Sequence, residues 1–193
     1  AVDTLLCEDT RTTAKLLERY GIRTRLMAYH EHNAAKVRPA ILRALGEGQS
    51  IALVSDAGMP LVSDPGYRLV ADCVANEIPV TAIPGASAVL TALALSGLPT
   101  DRFVFLGFLP AKSGERKKLL TEFMNVKATL ITFESPHRIV EALVDVAGVM
   151  NNPRVAVTRE LTKLHEEVLR GTAMEVHEIL STRPSVKGEI TLV

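Results

Sequence analysis

Short, nearly all-apolar segments alternate with helical patterns through the first half of the chain. The apolar segments lie at 4–7, 26–29, 51–54 and 80–83, and the helical patterns at 12–20, 34–45, 67–76 and 86–95. Strands that are apolar along their whole length are typical of a sheet covered on both faces by helices. The sequence therefore predicts a parallel, three-layer α/β sheet in this half.

The second half carries a further set of strand and helix patterns. Strands are predicted at 103–110, 129–133, 154–158, 167–170 and 189–193, and helices at 115–125, 139–150 and 173–180. Pro110 and the following Ala111–Gly114 form a plausible linker, since Pro and Gly punctuate regular structure. We therefore expect two α/β domains, an N-terminal lobe at 1–110 and a C-terminal lobe at 111–193.

Composition restricts the partners and the compartment. The 193 residues include 22 Lys plus Arg and 22 Asp plus Glu, so the net charge is zero and any nucleic-acid recognition must be local. Cys7 and Cys73, the two cysteines, have apolar neighbours, which favours buried thiols in a reducing compartment. No apolar run approaches the roughly 20 residues that span a bilayer. We expect a cytoplasmic protein, and we expect that an N-terminal piece is missing ahead of Ala1.

Three loops with unusual residues follow predicted strands. They are Ser55–Gly66, Pro84–Ala88 and Glu134–Arg138. The carboxyl ends of parallel strands meet at one edge of a sheet, where ligands of open α/β folds bind. Turn chemistry explains each loop taken singly, because Gly and Pro end most strands. Together they favour a shared pocket, with small residues of Pro84–Ala88 exposing main-chain N–H groups.

Several common site types have no sequence support. The chain contains no Gly-x-Gly-x-x-Gly or Gly-x-x-x-x-Gly-Lys-[Ser/Thr] loop, so a di- or triphosphate ligand is disfavoured. His30 and His32 lack a third ligand nearby, and we expect no metal site. No Gly-x-Ser-x-Gly signature indicates a hydrolase. An adenosine-type ligand without phosphates fits the small-residue loops.

Charged residues cluster at three predicted strand ends and in one basic patch. The clusters are Glu8–Arg11, Glu134–Arg138 and Arg159–Lys163, and the patch comprises Lys112, Arg116, Lys117 and Lys118. Helix capping is an alternative role for Asp9, and Ser63 or Asp64 before Pro65 also fits an N-cap. A solvated helix face is the alternative for the basic patch, and an ion-pair network is the alternative for Arg138 and Arg159.

Motifs in order along the chain resemble a known family. They are Glu8–Arg11, Ser55–Gly58, Ser63–Gly66, Pro84–Ala88, Gly97–Phe103, Gly107–Pro110, Glu134–Arg138, Arg159–Lys163 and Lys187–Glu189. Together they are similar to bacterial ribosomal RNA small subunit methyltransferases that modify a cytidine 2′-oxygen of 16S rRNA. That family lies within the tetrapyrrole methylase superfamily. The family's first strand and its Pro-Thr-Pro-Ile-Gly-Asn-Leu-type loop have no counterpart ahead of Ala1, which leaves the expected pocket incomplete.

The resemblance implies a fold, a cofactor and a substrate. The fold would be a two-lobed α/β homodimer with a largely parallel sheet in the N-terminal lobe and a mixed sheet in the C-terminal lobe. The reaction would be 2′-O-methylation of a 16S rRNA cytidine near the decoding centre, with S-adenosyl-L-methionine as cofactor. The implied cofactor contacts are Asp56, Ala57, Gly58, Pro84, Gly85, Ser87, Ala88, Phe133 and Leu161.

The reaction needs a positioned acceptor and is helped by a base that takes the ribose proton. We expect Asp9 or Glu8 first as that base, then Glu134 or His137. Predicted contacts to RNA phosphates are Arg11, Lys112, Arg116, Lys117, Lys118, Arg138 and Arg159. Two alternatives stay open: a methylase of the same superfamily acting on a corrinoid precursor or a protein side chain, and a non-catalytic adenosine-ligand binding module.

Overall fold

The computed structural model describes residues 2–193. By its internal contacts the chain divides into two compact units, the first ending at Ala86 and the second running from Ser87 to Val193. This division comes earlier in the chain than the predicted one at residue 110. The reason is that the strand at Phe103–Phe108 pairs with a strand of the second unit.

Unit 1 contains a three-stranded parallel sheet and three helices. Its elements are β1 (Thr4–Cys7), α1 (Thr10–Arg19), β2 (Arg25–Ala28), α2 (Ala34–Gly46), β3 (Ile51–Leu53) and α3 (Tyr67–Ala75). The strand order is β2-β1-β3. Leu6 of β1 is fully buried against Ile41 of α2 and Leu69 and Cys73 of α3. The predicted parallel α/β arrangement is confirmed here.

The predicted strand at Val80–Ile83 is wrong. These residues are exposed, with Ile83 84% accessible, and within residues 2–193 they pair with no strand. An apolar, β-branched run has the intrinsic preference for a strand, but a strand also needs a neighbour to satisfy its main-chain groups. The outer edge of β3 likewise has no strand partner in the described chain.

Unit 2 is a five-stranded mixed sheet between helices. Its elements are α4 (Ala88–Ser96), β4 (Phe103–Phe108), α5 (Ser113–Phe123), β5 (Thr129–Glu134), α6 (Ile139–Val149), β6 (Arg154–Arg159), β7 (Glu167–Thr172), α7 (Ala173–Ser181) and β8 (Ile190–Leu192). The strand order is β4-β5-β8-β6-β7. Strands β4 and β5 are parallel, and the other pairs are antiparallel, so the expected mixed sheet is confirmed.

The two faces of this sheet bury two separate apolar clusters. Helices α5, α6 and α7 cover one face with a core that includes Leu120, Leu143 and Val176. Helix α4 covers the other face and packs on Ile131 of β5 and Ala156 of β6. The alternation of side chains along a strand explains why Val155 and Val157 of β6 belong to the first cluster and Ala156 to the second.

Candidate functional site

The loop after β3 is held in shape by its own polar groups. The Ser55 hydroxyl donates to the Asp64 carboxylate, and the Ala57 N–H donates to Ser55 Oγ at 3.3 Å. Asp56, Ala57 and Gly58 form an exposed tip. Gly58 has φ +72° and open space where a Cβ would lie. The tip therefore presents main chain and small side chains that a ligand can approach closely.

The end of this loop requires glycine at one position. Gly66 has φ +135°, and a Cβ placed on it would lie 2.7 Å from a methyl group of Leu53. It is also the residue that precedes α3, which has no side-chain cap. The predicted N-cap at Ser63 or Asp64 is therefore wrong, because the Asp64 carboxylate is occupied by Ser55.

The predicted ligand segment Pro84–Ala88 leads into α4. Pro84 and Gly85 are exposed, and Ser87 caps the helix by accepting a hydrogen bond from Leu90 N–H at 3.3 Å. Within the described residues the exposed stretch 79–86 belongs to no sheet, so its N–H groups are accessible for a ligand. Nothing in this arrangement tests whether Ser87 and Ala88 touch a cofactor, and those assignments stay predictions.

Glu8 lies at the same strand edge as the Ser55–Gly66 loop. Together with Tyr29, Ser55 and Asp64 it lines a small concavity of about 10 Å³, which has room for about one water. The carboxyl ends of β1 and β3 thus bring an exposed carboxylate beside the predicted ligand loop. Neighbouring parallel strands place these two groups at one edge, as predicted. The predicted meeting of three loops at one sheet is wrong, because Val80–Ile83 is not a strand and Glu134–Arg138 follows β5 of the other sheet.

Asp9 has a structural role in this arrangement. Its carboxylate caps α1 by accepting from Arg11 N–H at 2.8 Å, and it also pairs with Arg11 Nη2 at 2.7 Å. These hydrogen bonds from Arg11 lower the pKa of Asp9 to about 2. A carboxylate with so low a pKa is a weak proton acceptor at neutral pH. The capping alternative for Asp9 is confirmed, and Arg11 is its ion-pair partner.

Glu134 is buried at the end of β5. Its side chain is inaccessible, and Oε1 accepts from Ser135 N–H at 2.6 Å and from Arg138 Nη2 at 2.7 Å. The other oxygen, Oε2, is buried without a hydrogen-bond partner. The ion-pair alternative for Arg138 is therefore confirmed. His137 is exposed in the same turn.

Arg116 is not part of an exposed basic patch, which corrects its prediction as an RNA contact. Its side chain is 1% exposed and lies 2.6 Å from the carboxylate of Asp145 on α6. Burial acts to raise the pKa of Asp145, but hydrogen bonds from Ser113, Arg116 and Lys117 outweigh it and the pKa is lowered. The sequence signal was available, since Asp145 lies among Ala142, Leu143 and Val146 on the apolar side of α6.

The three lysines of the basic patch are exposed to solvent. Lys112 is 83% exposed, Lys117 is 53% exposed and 3.4 Å from Asp145, and Lys118 is exposed on the same helix. They lie at or near the start of α5, on the solvent side of unit 2. Their exposure is compatible with RNA contacts and with a solvated helix face, and contact with RNA stays a prediction.

Arg159 belongs to an ion-pair network whose other members, Glu167 and Arg183, no sequence motif indicates. Its Nε donates to Glu167 at 3.0 Å, and Arg183 binds the same carboxylate through two nitrogens at 2.7 and 2.8 Å. Hydrogen bonding from Arg183, and then from Arg159, lowers the pKa of Glu167 to about 2 despite opposing desolvation. The ion-pair alternative for Arg159 is confirmed.

Phe133 and Leu161 pack in one apolar cluster with α4. Phe133 also makes edge-to-face contacts with Phe105 and Phe108, with ring centroids 4.8 and 5.4 Å apart. Two other predicted cofactor contacts, Ser87 and Ala88, lie at the start of α4. The structure therefore places Phe133 and Leu161 in the apolar cluster of the helix that begins with these residues. Direct contact with a cofactor stays a prediction.

Within residues 2–193, no group of three or more His, Cys, Asp or Glu side chains is arranged to hold a metal ion. In the same residues, every helix is too short or too polar to cross a membrane.

Comparison with known proteins gives a consistent result over the chain. The sequence model of the tetrapyrrole (corrin/porphyrin) methylases matches residues 1–177. The chain is 50% identical over 193 residues to a ribosomal RNA small subunit methyltransferase I of Mesorhizobium japonicum, covering 100% of this chain and 66% of that protein. It is 44% identical to the protein of the same name from a Hydrogenobaculum species, covering 100% of this chain and 84% of that protein.

The chain spans less than two thirds of the length of the Mesorhizobium relative, so part of that protein lies outside the match. Among solved structures, a diphthine synthase is similar with a TM-score of 0.73 at 16% identity, over 100% of this chain and 79% of that one. A uroporphyrin-III C-methyl transferase from Thermus thermophilus, complexed with S-adenyl homocysteine, has a TM-score of 0.62 at 17% identity, over 99% of this chain and 84% of that one. These similarities show the fold.

Proposed function

The chain belongs to the tetrapyrrole methylase family and, within it, to the ribosomal RNA small subunit methyltransferases I, and from this premise we propose that it methylates ribosomal RNA of the small subunit. The observation that carries the proposal is identity of 44–50% over the whole chain to proteins that share this name. In finer detail, we propose that the acceptor is the 2′-oxygen of a cytidine in 16S rRNA near the decoding centre. The reaction would take place in the cytoplasm, by a homodimer.

The exposed loops fit S-adenosylmethionine as cofactor. Asp56–Gly58 and Pro84–Gly85 offer small side chains and exposed main chain, with open space at the Cβ position of Gly58. These residues of unit 1 would hold the cofactor. Ser87, Ala88, Phe133 and Leu161, in unit 2, stay predicted contacts. When bound, S-adenosylmethionine supplies an electrophilic methyl group on sulfur. The S-adenyl homocysteine bound to the Thermus thermophilus relative supports this choice, because S-adenosylmethionine becomes S-adenosylhomocysteine when it transfers its methyl group.

Among the four candidate bases, Glu8 is supported best. Asp9 is held ionised by Arg11, and Glu134 is buried in its ion pair with Arg138. Glu8 is exposed, and it lies beside Ser55 at the start of the predicted ligand loop. We assign Glu8 to take the ribose proton as the oxygen attacks, a contribution of about 10²-fold or more. His137, exposed in unit 2, is the second candidate.

Only exposed cations are kept as proposed contacts to RNA. Lys112, Lys117 and Lys118 are accessible and would bind phosphates without reading sequence. Arg138 and Arg159 each form an ion pair with a carboxylate within unit 2. We therefore assign them a structural role and not a contact with RNA. Arg11 is 88% exposed and retains nitrogens that can face RNA while it pairs with Asp9.

Methyl transfer to small ribosomal subunits tests the proposal. Subunits from a strain that lacks the modification are incubated with the protein and tritiated S-adenosylmethionine, and the labelled nucleotide is mapped. We expect label on one cytidine ribose of 16S rRNA. A protein that binds the cofactor but leaves all label on it, with the subunits intact, contradicts the proposal and favours the binding-module alternative.

A matched pair of variants tests the base. Glu8→Gln should lower kcat by about 10²-fold with cofactor affinity unchanged, because the carboxamide cannot accept the proton. Glu18→Gln changes the same chemistry at an exposed position of α1 and should leave turnover intact. Equal turnover in both variants would remove Glu8 from the mechanism.

A further inference from the structure

Strand β4 ends in a β-bulge that changes the direction of its last side chain. Phe105 pairs with Ile131, and the next pair along the ladder is Phe108 with Phe133. Three steps along β4 therefore match two steps along β5, so β4 carries one extra residue between these pairs. Gly107 lies in this stretch with φ +70°, the left-handed conformation that glycine adopts readily in a bulge.

The bulge places the Phe108 ring on the same face of the sheet as Phe105. In a regular strand, residues three apart point to opposite faces. Here both rings pack edge-to-face against Phe133, with centroid distances of 4.8 Å for Phe105 and 5.4 Å for Phe108. The three phenylalanines thus form one aromatic row on the face of the sheet that carries α4.

The Phe108 ring is open to solvent, unlike the other two rings of the row. It is 57% exposed, whereas Phe105 and Phe133 are half-buried in the α4 cluster. Helix α4 packs on β5, β6, β7 and β8, and Phe108 lies on β4 at the margin of that cover. A ring that is fixed on one side by Phe133 and open on another can stack with a second planar group.

Buried groups hold the chain that follows Phe108. Leu109 is 2% exposed, and its N–H donates to the Phe133 carbonyl at 3.2 Å. The buried Arg116 guanidinium donates to the two carbonyl oxygens of Pro110–Ala111, at 3.2 and 3.4 Å. The turn that leaves β4 is therefore fixed to the sheet at one end and to α5 at the other.

This turn connects the ring to an exposed cation. Lys112 comes four residues after Phe108, so their Cα atoms are at most about 14 Å apart. Lys112 is 83% exposed, and its 3.5 Å contact with Glu115 joins two exposed side chains, a kind of pair that contributes little. The ammonium group is therefore available to a phosphate. A stacking ring beside a cation is the combination that binds single-stranded nucleic acids.

We infer that Phe108 stacks with a nucleobase of the substrate RNA and that Lys112 binds a phosphate of the same strand. The inference rests on the proposed function, which makes RNA the substrate. Unpaired RNA bases are commonly recognised by stacking on aromatic side chains. Arg116, which the sequence predicts as an RNA contact, is here a positioning residue, because it holds the turn between the ring and the cation.

Size and charge favour RNA over a second protein chain at this position. A stable protein interface buries about 800 Å² per partner, whereas one aromatic side chain offers about 150–250 Å². The exposed Lys112, Lys117 and Lys118 lie at the start of α5 and attract phosphates. The adenine of S-adenosylmethionine is the other nucleobase that could stack here, since Phe133 is a predicted cofactor contact, and the experiment separates the two sources.

Tryptophan fluorescence tests the stacking directly, because the chain contains no tryptophan. Phe108→Trp introduces one indole at the proposed site. Phe103→Trp, at an exposed position at the other end of β4, is the matched control. At low salt, where phosphate contacts are strongest, we expect a short oligocytidylate to quench the emission of Phe108→Trp by at least about 2-fold, since a stacked base quenches an indole. The emission of Phe103→Trp should not change.

Methyl transfer to small ribosomal subunits gives a second readout. Phe108→Leu keeps an apolar side chain against Phe133 but removes the aromatic face, and it should raise the KM for subunits by about 10-fold. Phe108→Tyr keeps a ring and should bring the KM back toward that of the parent protein. Phe103→Leu should leave the KM unchanged. Affinity for S-adenosylmethionine, measured by calorimetry without RNA, should be the same in all of these variants.

Three results would overturn the inference. Equal emission changes at the two tryptophan positions, or none at either, would show that no base stacks on residue 108. Quenching of Phe108→Trp by S-adenosylmethionine alone would assign the ring to the adenine of the cofactor. An emission change that grows with protein concentration, together with a dimer in sedimentation, would assign the ring to a second copy.

Failure of the proposed function gives a different result. A parent protein that methylates no subunit, while oligocytidylate quenches Phe108→Trp and not Phe103→Trp, would contradict the proposed methyl transfer and would still support the stacking site.

Discussion

At the scale of single residues, exposure separates the charged groups into two roles. Arg116, Arg138 and Arg159 each hold a carboxylate at 3.0 Å or less and are buried or half-buried. Lys112 and Lys118 remain on the surface. The sequence predicts an RNA contact for all five, and only the tertiary structure separates the paired side chains from the exposed ones.

The buried pair of Arg116 and Asp145 should be sensitive to loss of one partner. Asp145→Asn leaves a buried guanidinium without its countercharge, and we expect a loss of about 3–5 kcal/mol in the free energy of unfolding. Glu141→Gln, an exposed change on the same helix, should cost less than about 0.5 kcal/mol. Urea denaturation of both variants measures the difference. Similar midpoints would show that the pair contributes little.

The Glu167 network should make stability depend on acid pH. The pKa of Glu167 is lowered from 4.5 to about 2, so its stabilising contribution is complete above pH 4.5 and is lost as the pH falls through about 2. Glu167→Gln should lower the free energy of unfolding by about 1–3 kcal/mol at neutral pH. The difference in this free energy between the variant and the parent protein should shrink between pH 4.5 and 2. Guanidinium denaturation over pH 2–7 checks this. A difference in the free energy of unfolding that does not change with pH would contradict the assigned network.

At the scale of elements, local patterns place helices well but do not decide how they begin. Helix α1 starts after Asp9 and α4 after Ser87, both with side-chain caps. Helix α3 starts after Gly66 without one, although Ser63 and Asp64 precede Pro65 in a typical capping pattern. Tertiary contact explains the difference, because Ser55 binds the Asp64 carboxylate and Gly66 lies against Leu53.

Gly66 offers a test of this junction. Gly66→Ala places a methyl group 2.7 Å from Leu53 at φ +135°, so we expect a loss of at least about 2 kcal/mol in the free energy of unfolding. Gly46→Ala, at the end of α2 with open space around the new methyl, should be neutral or stabilising. Thermal unfolding of the two variants distinguishes them. Comparable midpoints would contradict the close approach.

At the scale of the whole molecule, charge balance limits how RNA can be recognised. The 22 basic and 22 acidic residues cancel, so attraction to RNA depends on local groups. A ribosomal subunit, with its fixed surface shape, can contact Lys112, Lys117 and Lys118 together, whereas a flexible naked RNA gains little from so few charges.

RNA binding should therefore be weak on naked RNA and salt-dependent on subunits. Lys117→Gln with Lys118→Gln should weaken subunit binding and reduce the slope of log affinity against log salt by up to about 2, since each phosphate contact contributes about one. The control is Lys15→Gln with Lys36→Gln, exposed lysines of unit 1 that carry the same charge. Filter binding at several salt concentrations measures both. Tight binding to random RNA at physiological salt would contradict the prediction.

The sequence by itself determined the order of the elements, the strand-end loops and the family. Apolar periodicity and glycines are local properties, so short stretches of chain predicted the seven helices and eight strands found in residues 2–193. Only the tertiary structure decided that Val80–Ile83 is unpaired, that Arg116 is buried against Asp145, and that β8 lies between β5 and β6. Pairing and burial depend on residues far apart in sequence, and no local pattern records which of them meet.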